Sequence, residues 1–62
     1  MKVRDVLRKL KADHWVLDRV RGSHHVFLHP RKSGSVTVAF DQEGDELKPR
    51  TLQSIFKQAG WK

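Results

Sequence analysis

Several residue types that would point to a particular function are missing from this chain. Its 62 residues include no cysteine, which excludes a disulfide framework and a thiolate zinc site and favours a reduced compartment. No apolar run approaches the roughly 20 residues that a membrane-spanning helix needs. The amino-terminal segment also lacks the uncharged apolar stretch of a secretion signal. We therefore expect a single cytoplasmic domain covering residues 1–62, with no membrane contact.

The charge of the chain is strongly positive. Thirteen Lys and Arg residues against seven Asp and Glu residues give a formal net charge of +6. Such an excess indicates a polyanionic partner, either a nucleic acid or an acidic protein. A domain of this size buries only about 60% of its unfolded surface, which leaves no room for a separate cofactor-binding lobe. We expect no cofactor, and any active site must consist of a few surface side chains.

Apolar spacing predicts a helix at each end of the chain. The first apolar positions are Val3, Val6, Leu7 and Leu10. They fall at i, i+3, i+4 and i+7 and predict an amphipathic helix from about residue 3 to residue 13. The second set is Leu52, Ile55, Phe56 and Ala59. Pro49 suits the first turn of this second helix, and Gly60 suits the position just past its end.

Three short segments between the helices predict β-strands, at residues 15–20, 24–29 and 35–39. In the first, we expect Trp15 and Leu17 to face the core. The order α-β-β-β-α predicts an α+β fold with a three-stranded antiparallel sheet and both helices on one face. The second strand has apolar residues on both faces, at positions 26–28, and the pattern leaves open which face fills the core.

The second strand also contains the candidate site. Three of the four histidines lie within residues 21–30, close to several arginines and lysines. Histidine titrates nearest neutral pH, and an acid–base group among fixed positive charges is what phosphodiester cleavage requires. Since strand side chains alternate, His24 and His25 point to opposite faces, and His29 is expected to close the strand by hydrogen bonding. These histidines cannot converge on one metal ion. A plain basic surface would show the same composition.

The architecture resembles the double-stranded-RNA-binding domain, and an ordered set of short motifs resembles the HicA toxin family over nearly the whole chain. The motifs are Val3-Arg4-Asp5-Val6-Leu7, Trp15, Gly22-Ser23-His24, Phe27 with His29-Pro30, Val36-Thr37-Val38, and residues 51–60. Two positions depart from the family pattern. Ala39-Phe40-Asp41 stands where the family commonly has Pro and His, and Arg50 stands where it commonly has Gly.

The resemblance implies a toxin that cleaves messenger RNA and is held inactive by a HicB antitoxin. The family's histidine after Gly-Ser corresponds to His24. We thus predict a metal-independent endoribonuclease (an mRNA interferase) with His24 as the acid–base residue and a HicB-like antitoxin as partner. The residues predicted to contact RNA are Arg19, Arg21, Gly22, Ser23, Arg31 and Lys32. The alternative is a non-catalytic RNA-binding module of the same fold, which would grip an A-form minor groove by shape.

Overall fold

A computed structural model describes residues 1–61 of the chain. It contains two helices and three strands in the order α1, β1, β2, β3 and α2. Their bounds are Val3–Ala12, Val16–Arg21, His24–Leu28, Ser35–Ala39 and Pro49–Ala59. The α-β-β-β-α order is therefore confirmed, with element ends within one residue of the predicted ones. The predicted domain also contains Lys62, which lies outside the described residues. Within residues 1–61, neither helix has the length and apolar character to cross a membrane.

The sheet is a simple antiparallel meander with β2 at its centre. A two-residue turn, Gly22-Ser23, joins β1 to β2, and Arg21 pairs with His24 on either side of it. Gly22 has φ 58°, a left-handed value that such tight hairpin turns require and that glycine adopts without a Cβ penalty. A bulge between Leu17 and Arg19 interrupts the pairing of β1 with β2.

Both helices cover the same face of the sheet. Phe27 of β2 and Val36 and Val38 of β3 point into a core shared with the helices. The helical members of this core are Val3, Val6, Leu10, Ile55 and Ala59. Phe27 therefore faces the helices, while Val26 and Leu28 face the other side. This answers the question that the apolar pattern of β2 left open.

The expectation for Leu17 is wrong. Trp15 is buried, with 4% of its surface exposed, but Leu17 is 48% exposed. Leu17 pairs with Phe27 and so faces the helix side of the sheet. However, β1 is at one edge of the sheet and α2 packs against β3 at the other edge. The helices consequently leave the helix side of β1 uncovered.

Both helices end in the same type of turn, in which a residue with left-handed backbone precedes a tryptophan. That residue is His14 after α1, with φ 71°, and Gly60 after α2, with φ 77°. The N–H of the following Trp15 or Trp61 donates to the carbonyl five residues earlier. These are Schellman-type ends, which satisfy carbonyls at the helix terminus.

The two helix ends meet at one carboxylate. Asp13 Oδ2 accepts hydrogen bonds from the indole N–H groups of Trp15 and Trp61, at 2.9 and 3.0 Å. It also accepts one from Lys32 Nζ at 2.7 Å. Because Lys32 lies between β2 and β3, this carboxylate joins the ends of α1 and α2 to the second hairpin. We call these four residues the Asp13 cluster.

The acidic segment 41–46 caps the start of α1. Backbone carbonyls of Asp45 and Glu43 accept the N–H groups of Val3 and Arg4, both at 2.9 Å. These donors belong to the first turn of the helix, where no intrahelical acceptor is available. The segment's carboxylates are thereby brought to the end of α1 where the helix dipole favours negative charge.

Candidate functional site

His24 lies at the start of β2, on the sheet face that the helices leave free. It pairs with Arg21 on β1 and with Ala39 on β3, and its side chain is exposed. On the same strand, His25 and Phe27 pair with the core residues Val38 and Val36 and so face the helices. Because side chains alternate along a strand, His24 faces the opposite side of the sheet. The imidazole is therefore open to a ligand as large as a polynucleotide.

Two arginines share this face with His24. Arg21 is its direct cross-strand partner, and Arg19 pairs with Val26, the next residue of β2 on the same side. The Arg19 guanidinium lies 2.6 Å from the carboxylate of Asp18, and both side chains are well exposed. An exposed ion pair of this kind contributes about 0–1 kcal/mol, so Arg19 can exchange it for a phosphate at little cost.

The predicted RNA contacts divide into two groups. Arg19, Arg21, Gly22 and Ser23 lie with His24 at the first hairpin. Arg31 and Lys32 follow the other end of β2, roughly 13 Å or more away for a strand of this length. Only the first group is brought together with His24.

Lys32 is engaged within the fold. Its ammonium donates to Asp13 Oδ2 at 2.7 Å and to the carbonyl of Ala59 at 3.1 Å. The carbonyl belongs to the last turn of α2, where a cation interacts favourably with the helix dipole. Arg31 is likewise an exposed turn residue, but within residues 1–61 its guanidinium has no ion pair like that of Lys32 with Asp13. Of the cations at the second hairpin, Arg31 is therefore the one placed to meet a phosphate.

The neighbouring histidines have structural contacts. The His29 Nε2–H donates to the carbonyl of Asp13 at 2.6 Å, while Nδ1 accepts the N–H groups of Arg31 and Lys32. The expectation that His29 closes the strand by hydrogen bonding is confirmed. His25 donates from Nδ1 to the carbonyl of Ser23 at 2.9 Å.

The ring of His25 also stacks on Phe40, with centroids 3.9 Å apart and an interplanar angle of 11°. Phe40 is one of the positions that departs from the family pattern. The stack holds His25 on the helix side of the sheet, away from His24. Sequence reasoning did not connect these two rings because His25 lies on β2 and Phe40 follows the end of β3, 15 positions later in the chain.

Sequence reasoning also missed Thr37. It pairs with Val26 and thus lies on the His24 face, two residues along β3 from Ala39, the residue opposite His24. A diagonal neighbour of this type lies within about 7–8 Å, so its hydroxyl borders the site. The signal was present, because Val36 and Val38 are apolar on either side of Thr37 and strand side chains alternate.

The described residues offer no obvious metal centre. Within residues 1–61, no group of three or more His, Asp or Glu side chains is arranged to hold a metal ion. The charged and titratable side chains that meet on this face are the exposed imidazole of His24 and the guanidinium groups of Arg19 and Arg21.

The chain is similar to a described protein family over nearly its whole length. A family model described as the HicA toxin of bacterial toxin–antitoxin systems matches residues 3–61. No curated protein matches this chain. The family match spans all five elements, including the first hairpin and His24.

Proposed function

This chain belongs to the HicA toxin family and is a toxin of a toxin–antitoxin system, and on that premise we propose that it is a metal-independent endoribonuclease. It cleaves messenger RNA with His24 as the acid–base residue, and a HicB-like antitoxin neutralises it. The observation that carries the proposal is the position of His24, exposed beside Arg21 on the helix-free face. The proposed catalytic residues therefore lie on one side of the sheet, and the hydrophobic core lies on the other.

The reaction follows from the groups at this face. The His24 imidazole takes the proton of a ribose 2′-hydroxyl, and the 2′-oxygen attacks the adjacent phosphorus. The bond from phosphorus to the 5′-oxygen breaks, and the leaving oxygen is protonated by an imidazolium or by water. The products are a 2′,3′-cyclic phosphate and a 5′-hydroxyl. A positioned acid–base group is worth roughly 10²–10⁴ in rate.

Arg21 and Arg19 supply the second component of catalysis. Negative charge accumulates on the phosphoryl oxygens as the 2′-oxygen attacks, and fixed cations stabilise it. Arginine suits this role because its planar guanidinium binds phosphate through two parallel hydrogen bonds. The Gly22-Ser23 turn places both arginines on the strand next to His24.

A non-catalytic RNA-binding module is the second candidate. The basic surface, the net charge of +6 and the resemblance of the fold to the double-stranded-RNA-binding domain favour it. In that case the helix-free face would contact phosphates without cleaving them. In the first candidate function His24 takes part in RNA cleavage, whereas in the second it only contacts the RNA.

The test is cleavage of RNA by the purified protein in EDTA, comparing the wild type with His24→Ala. We expect the wild type to cut and His24→Ala to lose activity by at least about 100-fold. The matched control is His14→Asn, which removes another exposed histidine, and asparagine tolerates the left-handed backbone at that position. A 2′-deoxy substitution at the cleaved position should make the RNA inert.

Each outcome has a definite meaning. Cleavage that EDTA abolishes and a divalent ion restores would contradict the metal-independent mechanism. Full activity in His24→Ala would overturn the site. RNA that the wild type binds and never cuts would leave the binding module as the function.

A further inference from the structure

The two edges of the sheet differ in whether another element of the fold binds their main-chain groups. At the β3 edge, the N–H of Thr37 donates to the side-chain oxygen of Gln58 on α2 at 2.9 Å. At the β1 edge, no other described element pairs with the strand, and all six residues of β1 are exposed. An edge with free main-chain groups can accept a strand from another chain.

The hairpin identifies the main-chain groups that face this free edge. In a two-residue hairpin, the residues that flank the turn exchange main-chain hydrogen bonds, so Arg21 and His24 form a bonded pair. The next pair, Val20 and His25, is then a non-bonded one. The N–H and C=O of Val20 therefore point outward, away from β2.

An apolar groove accompanies the free edge on the helix side of the sheet. It lies between α1 and β1, has a volume of about 750 Å³ and also contacts Lys11 and Glu43. Its apolar and aromatic lining includes Leu7, Trp15, Leu17, His25, Phe27 and Phe40. We call it the α1–β1 groove.

The bulge in β1 turns two apolar side chains toward this side. Leu17 pairs with Phe27 and Val20 with His25, so both face the helix side although they are three residues apart. Their exposures, 48% and 49%, leave room for contact with a partner. The other face of β1 carries Arg19 and Arg21.

The charges indicate which partner fits. Two copies of a chain with a net charge of +6 repel each other, which disfavours self-pairing through β1. An acidic chain is attracted, and alternation along an added strand would place its polar side chains next to Arg19 and Arg21. The occupant that matches the edge, the groove and the charge is an extended segment with alternating apolar and acidic residues.

We propose that β1 is a docking edge, to which an extended acidic segment of the antitoxin adds as a fourth strand of the sheet. Its apolar side chains cover the exposed Val20 and Leu17, and Leu17 lines the α1–β1 groove. Its carboxylates bind Arg19 and Arg21 and so remove the phosphate ligands beside His24. The identification of the partner as the antitoxin rests on the proposed function.

The test blocks the outward N–H of Val20. Proline at an edge position removes a donor that faces solvent and spares the pairing with β2, so Val20→Pro should keep the fold. The matched control, Val20→Thr, retains the donor and the β-branched side chain. The probe is the purified cognate antitoxin of this toxin, titrated by calorimetry. We expect Val20→Pro to weaken binding by about tenfold or more, as for a buried main-chain hydrogen bond that loses its donor, and Val20→Thr to bind nearly as the wild type.

Hydrogen exchange of the wild-type protein gives a second readout that does not depend on a substitution. The Val20 amide should exchange with solvent in the free protein and become protected in the complex. An unchanged Val20 amide, or wild-type affinity in Val20→Pro, would overturn the proposal, as would failure of the antitoxin to bind. A dimer of the chain alone that Val20→Pro dissociates would show that a second copy occupies the edge instead. None of these measurements requires RNA cleavage, so they fail separately from the His24 mechanism.

Discussion

At the scale of single residues, the Asp13 cluster shows how a charged side chain can hold a small fold together. The hydrogen bonds from Lys32, Trp61 and Trp15 stabilise the ionised form, and with the charge of Lys32 they hold the pKa of the Asp13 carboxyl well below its ordinary value. Partial burial opposes this shift and is outweighed. A carboxylate that must stay charged to keep its partners links folding to pH.

We expect Asp13→Asn to lower the melting temperature at pH 7. Because the pKa of Asp13 is depressed by folding, its contribution is fully present above the unfolded pKa of about 3.9 and is lost as the pH falls toward the folded value. The difference between wild type and Asp13→Asn should therefore be constant from pH 5 to pH 7 and shrink below about pH 4. Thermal unfolding at a series of pH values measures it. A difference that grows in acid would contradict this assignment.

Whether a feature of a single residue could be predicted from the sequence depends on how near its partners lie along the chain. The exposure of His24 beside a glycine turn and the hydrogen-bonding role of His29 could be predicted, because each depends on neighbours within a few positions. The engagement of Lys32 with Asp13 and Ala59 could not. It joins residues 19 and 27 positions apart, and nothing in the local pattern distinguishes Lys32 from Arg31.

At the scale of elements, the C-terminal ends of α1 and α2 can be compared directly, because both have the same type of turn. Both need a left-handed residue, but α1 uses His14 where α2 uses Gly60. A side chain with a Cβ costs roughly 1–2 kcal/mol in this conformation. The end of α1 is therefore under backbone strain that the end of α2 avoids.

We expect His14→Gly to stabilise the protein by up to about 1 kcal/mol, because the relief of backbone strain in the folded state is partly offset by the greater flexibility of the unfolded chain. Gly60→Ala should destabilise it by about 1 kcal/mol. A Cβ at position 60 would lie 4.0 Å from Lys32 Nζ, its nearest neighbour, so this loss would come from the backbone alone. Urea unfolding of the two variants checks both signs. Equal effects of the same sign would contradict the strain argument.

The elements themselves could be predicted from apolar spacing, proline and glycine, since these are properties of the chain near each position. The coverage of β1 could not. Leu17 has the apolar character and the facing of a core residue, yet α2 packs at the opposite edge of the sheet. The placement of a helix across a sheet depends on packing between distant segments, which a single strand pattern does not contain.

At the scale of the whole molecule, the positive charge should govern RNA affinity. Each phosphate that a protein neutralises on a single strand contributes about −0.7 to the slope of log K against log salt. Contacts from Arg19, Arg21, Arg31 and Lys32 together would give about −3. Since the Lys32 ammonium is paired with Asp13, we expect three contacts and a slope near −2. Binding of His24→Ala to labelled RNA at several salt concentrations measures the slope without cleavage, and a value near zero would exclude the basic surface from binding.

The helix-free face has a consequence for how such a protein can diverge. Within residues 1–61, Val26 is the one residue of this face that is buried, and even it lies outside the core cluster. Substitutions around His24 therefore affect what this face binds, whereas substitutions on the other side of the sheet affect folding. Under the proposed function, successive substitutions on this face can change which RNA the protein prefers, and none of them requires a compensating change in the hydrophobic core.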